Sequence, residues 1–226
     1  MPSASNDTSS NISTKTEIHA LNVEFDYRKW KANISKASDP KSKPVYRVGF
    51  HNTRRPQIEH KRVGDDLTTT TIGTGTLHTF HIDAEYELHG QKRTLKTLKR
   101  WKRVYAHLSY VYSDNPKVPM TMTWTSSTGF KTWEFVCVDE CQNPVARWSM
   151  NIWATKKIGK FEFLGPKAGD EAVHDEIVVT GLTLFWSIAL RSTHIGNFIA
   201  TFFAHPGPLE KPVRTEDEES VTAGKT

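Results

Sequence analysis

Seven bases fall between residues 92 and 103 with no acid among them: Lys92, Arg93, Lys96, Lys99, Arg100, Lys102 and Arg103. Leu95, Leu98 and Trp101 recur at every third position through this tract, and Tyr105 and Leu108 continue the stripe. That spacing predicts a basic amphipathic helix rather than a strand. Such a segment lies on an anionic membrane with its tryptophan at the interface. The first expected partner is therefore an anionic phospholipid or phosphoinositide headgroup, with Trp101 as the interface residue. The same charges would track the phosphates of nucleic acid, a less expected partner. The bland alternative is a solvated face that keeps the protein soluble and prevents edge pairing.

Other reactive side chains form no recognisable constellation. His51, His60, His78, His81 and His89 are spread along the chain. His78 and His81, three apart on a strand, point to opposite faces, and no thiolate or carboxylate cluster completes a tetrahedral zinc site. Cys137 and Cys141 would stand roughly 13 Å apart on an extended strand, beyond disulfide reach. A turn at Asp139–Gln142 would bring them together, but the expected reading is a buried Cys137 and an incidental Cys141. Gly73-Thr74-Gly75 lacks the third glycine of a phosphate loop. Gly224-Lys225-Thr226 would need a glycine where Glu219 stands. His174-Asp175-Glu176 is a titratable cluster whose two acids suit a helix start. No catalytic motif is present, so the expectation is a non-enzymatic protein with no cofactor and no metal.

The elements that would position these groups are clearer. Asp175–Leu190 (DEIVVTGLTLFWSIAL) is apolar on every face. Such a helix must be enclosed by protein or lipid. The run Ile177–Leu190 is 14 residues, short of the ~20 that cross a bilayer. The prediction is a core helix over Glu176–Leu190 capped by Asp175. Before it, residues alternate with period two at Met120–Thr125, Trp133–Cys137, Ala146–Ile152 and Phe161–Phe163, the mark of half-buried strands. Turn residues separate these runs. Val45–His51, Gln57–Val63, Thr76–Ile82 and Ala84–Leu88 are earlier candidates. About eight to twelve short strands cannot all bury a face in one flat sheet, and closure into a barrel removes the edges. The predicted fold is mostly β: a closed antiparallel barrel around a central hydrophobic C-terminal helix.

The order WEFVCVDE, NPVARWSM, KKIGKFEFLGP and HDEIVVTGLTLFW, starting at Trp133, resembles fungal proteins of the tubby C-terminal-like superfamily. That superfamily takes in tubby-like, LURP-one-related and scramblase-like members. The resemblance covers Val45–Leu190 and implies a closed antiparallel barrel threaded by a hydrophobic helix. It is specific for fold and weak for function: no phosphoinositide-binding residue of the true tubby proteins matches a position here, so none is carried over.

Composition bounds the rest. The ends differ from the middle. Residues 1–15 are rich in Ser, Thr and Asn, and 209–226 carry Glu210, Glu216, Asp217, Glu218 and Glu219 against three bases. The expected organisation is a disordered tail over 1–15, one barrel domain over 16–208 and an acidic disordered tail over 209–226. The whole chain carries +5 and the acidic tail −2, so the barrel holds a basic surplus that admits an anionic partner. Residues 1–15 contain no apolar run of a signal peptide. Two cysteines suit a reducing compartment. The expected location is cytoplasmic, with peripheral membrane attachment. Phe198–Ala204 (FIATFFA) is an apolar run without a clean period and is read either as a final strand or a second helix. The second expected function, from a different class, is a structural or protein-interaction module with no lipid ligand.

Overall fold

The computed structural model describes residues 19–26, 28–39, 41, 43–78, 82–99, 103–128, 132–151, 159–193, 209 and 211. The N-terminal tail, the C-terminal tail apart from Leu209 and Lys211, Phe198–Ala204, His81, Arg100, Trp101 and Lys102 lie outside the described residues. Twelve strands precede one helix: β1 (His19–Asp26), β2 (Lys31–Lys36), β3 (Tyr46–Phe50), β4 (Ile58–Val63), β5 (Thr69–Leu77), β6 (Ala84–Leu88), β7 (Gln91–Thr97), β8 (Val104–Ser109), β9 (Met120–Thr128), β10 (Thr132–Val138), β11 (Pro144–Asn151), β12 (Gly159–Phe163) and α1 (Glu171–Thr193). Each strand pairs antiparallel with the next, and β1 pairs with β12 to close the barrel. Among the described residues closure gives every strand a neighbour on both sides, although β7 and β8 pair at only two register positions.

Period-two alternation decides what faces inward. Trp124, Phe135, Trp148 and Phe161, contributed by β9 to β12, are fully buried. These aromatics fill one side of the interior. The opposite side is thin: Gly73 and Gly75 of β5 lie where helix α1 runs against β5 and β6. A Cβ on Gly73 would run into the Glu87 carbonyl oxygen and stand 3.0 Å from Val179. One on Gly75 would stand 2.6 Å from Thr183 Oγ1. The glycine pair thus serves close helix packing, which accounts for it without a phosphate.

Helix α1 matches the sequence reading in kind and exceeds it in length. Its N-cap is Asp170, whose Oδ1 accepts from the Ala172 N–H at 2.8 Å. Asp175 is therefore not the cap but lies one turn inside, where it is buried. Over Glu171–Leu190 the helix is long and apolar enough to cross a bilayer, with mean hydropathy 1.3, yet 83% of that window is buried inside the barrel. Thr180 meets its own helix by donating from Oγ1 to the Glu176 carbonyl at 2.7 Å.

The predicted amphipathic helix at Lys92–Arg103 is overturned over Lys92–Thr97. Its first half is strand β7, paired with β6 from Leu88↔Gln91 to Ala84↔Leu95. Arg93, Leu95 and Thr97 face inward, and Lys92, Thr94 and Lys96 face out. Leu95 is fully buried. The three-residue spacing of Leu95 and Leu98 was coincidental; barrel closure needs a wall at this position, and cross-strand pairing outweighs local period. β1, β2 and β8 are further strands that the period-two reading did not pick out, and β5 spans Thr69–Leu77 rather than Thr76–Ile82.

An up-and-down barrel sorts its connections to two ends. The turns β2–β3, β4–β5, β6–β7, β8–β9 and β10–β11, with the β12–α1 loop, lie where α1 begins: the acidic end. The turns β1–β2, β3–β4 and β7–β8 lie where α1 ends. There Trp186 packs on Phe50 at 4.8 Å and Trp30 at 5.5 Å between ring centroids. We call this the tryptophan end.

Candidate functional site

Three arrangements of charge stand out, and the described residues of the tract do not gather in any one of them. The first is inside the acidic end. Two consecutive acids of α1, Asp175 and Glu176, each have side chains only 3% exposed. Asp175 accepts from Tyr46 Oη at 2.8 Å and Arg62 Nη2 at 2.7 Å, and its Oδ2 is 3.2 Å from His89 Nε2. Arg62 also reaches Glu171 at 2.5 Å. Burial, and then the adjoining Asp175, push the Tyr46 hydroxyl far above its ordinary pKa. Glu176 turns to the other wall. Its Oε1 is 3.0 Å from Arg93 Nη1, and its Oε2 accepts from Ser109 Oγ. Burial outweighs both partners and lifts the Glu176 carboxyl to about 7. Beyond this pair sit Tyr86, the register partner of Arg93, and His107, whose ring is 6.0 Å from that of Tyr86. His107 and His60 are fully buried with neither ring nitrogen hydrogen-bonded, and burial drops both to about 3. These histidines are held neutral.

The second is a slot in the wall. β7 and β8 share only two register pairs, Lys96↔Ala106 and Thr97↔Tyr105, whereas the next shortest ladder, β2–β3, has four. Towards the acidic end the two strands part. A cavity of about 680 Å³ opens there, with Gln91 to Thr94 on one lip and Leu108 and Tyr110 on the other. Arg93 spans it: inside it holds Glu176, and outside its Nη2 donates to Gln91 Oε1 at 2.7 Å while the guanidinium covers the Tyr110 ring at 5.1 Å.

The third is a groove on the outer wall of β2–β4, about 360 Å³ in volume, running to the tryptophan end. Lys31, Arg47, Arg54 and Lys61 line it, with His51 and one acid, Glu59. Glu59 is engaged by Lys61 at 3.2 Å. Beside it, at the tip of the β1–β2 turn, Trp30 is 43% exposed and held at φ 51° against the rings of Phe25 and Trp186. Arg28, Lys29 and Arg55 are exposed on the same end. Asp26, the nearby acid, accepts from the backbone of Arg28 at 3.0 Å and of Lys29 at 3.3 Å.

The predicted tract is thus not one surface. Lys92 is exposed at the acidic end, in register with Glu87. Arg93 faces inward and is committed to Glu176. Lys96 is half-buried mid-wall, and Lys99 is exposed at the tryptophan end. Arg103, also at that end, places its guanidinium 6.0 Å from the Trp133 ring centroid. Sequence reasoning missed the groove because its bases come one or two at a time from different strands. The available signal was outward placement: Arg47 between Tyr46 and Val48, and Lys61 after His60. Among the described residues no group of three His, Cys, Asp or Glu side chains gathers as metal ligands. Cys137 is buried and Cys141 exposed, both as free thiols. Comparison of the chain with family models, curated proteins and solved structures finds no match.

Proposed function

We propose that this barrel is a non-enzymatic binder of anionic lipid headgroups, docking to a membrane surface by its tryptophan end. The observation that carries the reading is the β2–β4 groove. Four bases surround one neutralised acid directly beside an exposed tryptophan, the pairing of charge and amphipathic ring that suits a headgroup interface. Arg28, Lys29, Arg55, Lys99 and Arg103 extend the same positive end around the barrel mouth. Kinship with the tubby C-terminal-like superfamily belongs to this proposal. It rests on the closed barrel, the buried C-terminal helix and the sequence resemblance from Trp133 onward.

The test is flotation with phosphatidylcholine vesicles, with and without phosphatidylserine, at low and high salt. Binding is expected only to the anionic vesicles and to fade with salt, because exposed charges are screened within a Debye length. Changing Arg47, Arg54 and Lys61 together to Gln removes three bases worth about 1 kcal/mol each, so binding should weaken roughly 100-fold. Trp30→Ala should weaken it further at every salt concentration. A wild-type protein that ignores anionic vesicles at low salt would end the lipid reading. If it then bound duplex DNA with a steep salt slope, nucleic acid would take the ligand's place. If it bound neither, the protein-interaction module would stand.

A further inference from the structure

We propose that the slot between β7 and β8 is a second ligand site, at the opposite end from the groove, that takes a small amphiphilic organic anion: a carboxylate or phosphate monoester on an apolar body. The parted strands make the opening. Ladder pairing stops at Lys96↔Ala106, so the facing edges of Gln91–Leu95 and of His107–Ser109 have no strand partner there. Backbone donors along such an edge are ready to meet a ligand.

The lining fixes the chemistry. Lys92 and Arg93 bring two positive charges to one lip, with Gln91 and Thr94 flanking them. Neither the ion-pair partner of Arg93 nor the register partner of Lys92 lies in the opening. Glu176 is sealed in the interior, and Glu87 is on β6, on the far side of β7 from the slot. The Tyr110 ring lies 5.1 Å from the Arg93 guanidinium, and a planar fork beside an aromatic face suits a carboxylate or phosphate. Leu108, Pro116 and Leu209 give the remaining wall an apolar surface. A volume of about 680 Å³ fits a ligand of small-molecule size.

A second observation points the same way. Behind the opening lies His107, fully buried beside Tyr86 and with neither nitrogen partnered. Natural interiors rarely leave such groups unpaired. A polar ligand or its bound water reaching past Arg93 would satisfy them.

Octyl phosphate below its micelle concentration is the probe, with octanol and inorganic phosphate as controls lacking charge or apolar body. Titration calorimetry should show saturable one-to-one binding of octyl phosphate and no measurable binding of either control. Two surface variants test the place. Lys92→Gln should weaken binding about tenfold. Leu108→Trp, which adds an outward ring at the opening, should abolish it while circular dichroism and melting stay as in the parent. Neither residue lines the β2–β4 groove, so vesicle binding should be unchanged in both. The proposal fails if the wild-type protein does not bind octyl phosphate, or if Leu108→Trp binds it as well as the parent does. It also fails if octanol binds equally, since the site would then read only apolar surface. Because the probe is monomeric, a negative flotation result would leave this proposal standing, and the reverse holds too.

Discussion

Arg93 Nη1 stands 3.0 Å from Glu176 Oε1, joining the barrel wall to its core helix through a pair that is closed from the inside and open from the slot. The two residues are 83 positions apart in sequence. Their meeting fixes α1 axially, because Asp175, the preceding residue, is held at the same level by Arg62 from β4. The helix is therefore pinned at its acidic end by two ion pairs and wedged at its far end by Trp186 among Trp30 and Phe50. Removing Arg62 would cost more than its pair with Asp175 contributes, since Asp175 would be left buried without that partner.

Glu176 should make folding stability fall as pH rises. Its carboxyl is lifted from 4.5 to about 7 by burial, against the pull of Ser109 and Arg93. A raised acid pKa means that the folded state holds its proton more tightly than the unfolded chain. The contribution is full below pH 4.5 and is lost as pH climbs through 7. The size is about 3 kcal/mol from a shift of that width. The groups facing it are Arg93 on β7, Ser109 and His107 on β8, Tyr86 on β6 and Cys137 on β10. Glu176→Gln keeps the hydrogen bond to Ser109 without an ionisable proton. Denaturant unfolding should find the variant and parent similar at pH 4.5 and the variant more stable by about 3 kcal/mol at pH 8. Parallel pH profiles would show that burial leaves the Glu176 carboxyl with the same proton affinity as in the unfolded chain.

The buried histidines act in the opposite sense. His60 and His107 fall from 6.5 to about 3, both through burial, with Arg93 adding to the effect at His107. A depressed pKa gives stability that is complete above 6.5 and is lost as pH falls from 6.5 towards 3. Each contributes a slope of up to about 1.4 kcal/mol per pH unit in that window. His107→Gln should remove one such slope, read as a shallower fall in unfolding free energy between pH 6 and 4. An unchanged slope would mean that His107 finds a partner in solution and protonates in the folded state.

The parts of this architecture that were legible in sequence are those with an unbroken period. Ile177 to Leu190 is apolar on every face, and Trp133, Phe135 and Cys137 alternate cleanly with Glu134 and Val136. Both patterns report burial directly. β7 was illegible because Leu95 and Leu98 imitate a helical stripe and because Arg93 is an inward charge. An inward arginine contradicts the period unless its partner is known, and Glu176 lies far along the chain. Asp175 looked like a cap for the same reason: an acid before an apolar run is ordinarily outside it. The groove was invisible because Lys31, Arg47 and Lys61 are brought together only by the β2–β3–β4 register, Asn33↔Arg47 and Arg47↔Lys61.

Gly73 should be intolerant of any side chain. A Cβ there would meet the Glu87 carbonyl oxygen, which is backbone held in the β5–β6 ladder, and both methyls of Val179 at 3.0 and 3.2 Å. Neither can swing aside as a surface side chain would. Gly73→Ala should therefore destabilise by roughly 1–3 kcal/mol, the usual range for overpacking a close-packed core. Thermal unfolding would measure it. Val179→Ala should recover part of the loss, because it clears one of the two obstacles. No recovery would place the whole cost on the strand backbone.

The final prediction separates the ends of the barrel. A vesicle surface is flat on the scale of this molecule, so it touches one end only. Lys92 and Lys99 belong to the same basic tract but are carried to opposite ends by β7. On the tryptophan-end reading, Lys99→Gln loses one base near the surface and should weaken anionic-vesicle binding roughly fivefold at low salt. Lys92→Gln should leave it unchanged. Both residues are exposed, so neither change should disturb the fold, and melting temperatures would confirm equal folding. Equal losses would mean that the membrane lies along the barrel side and meets β7 lengthwise. A loss for Lys92→Gln alone would put the lipid at the acidic end and the β2–β4 groove out of contact with it.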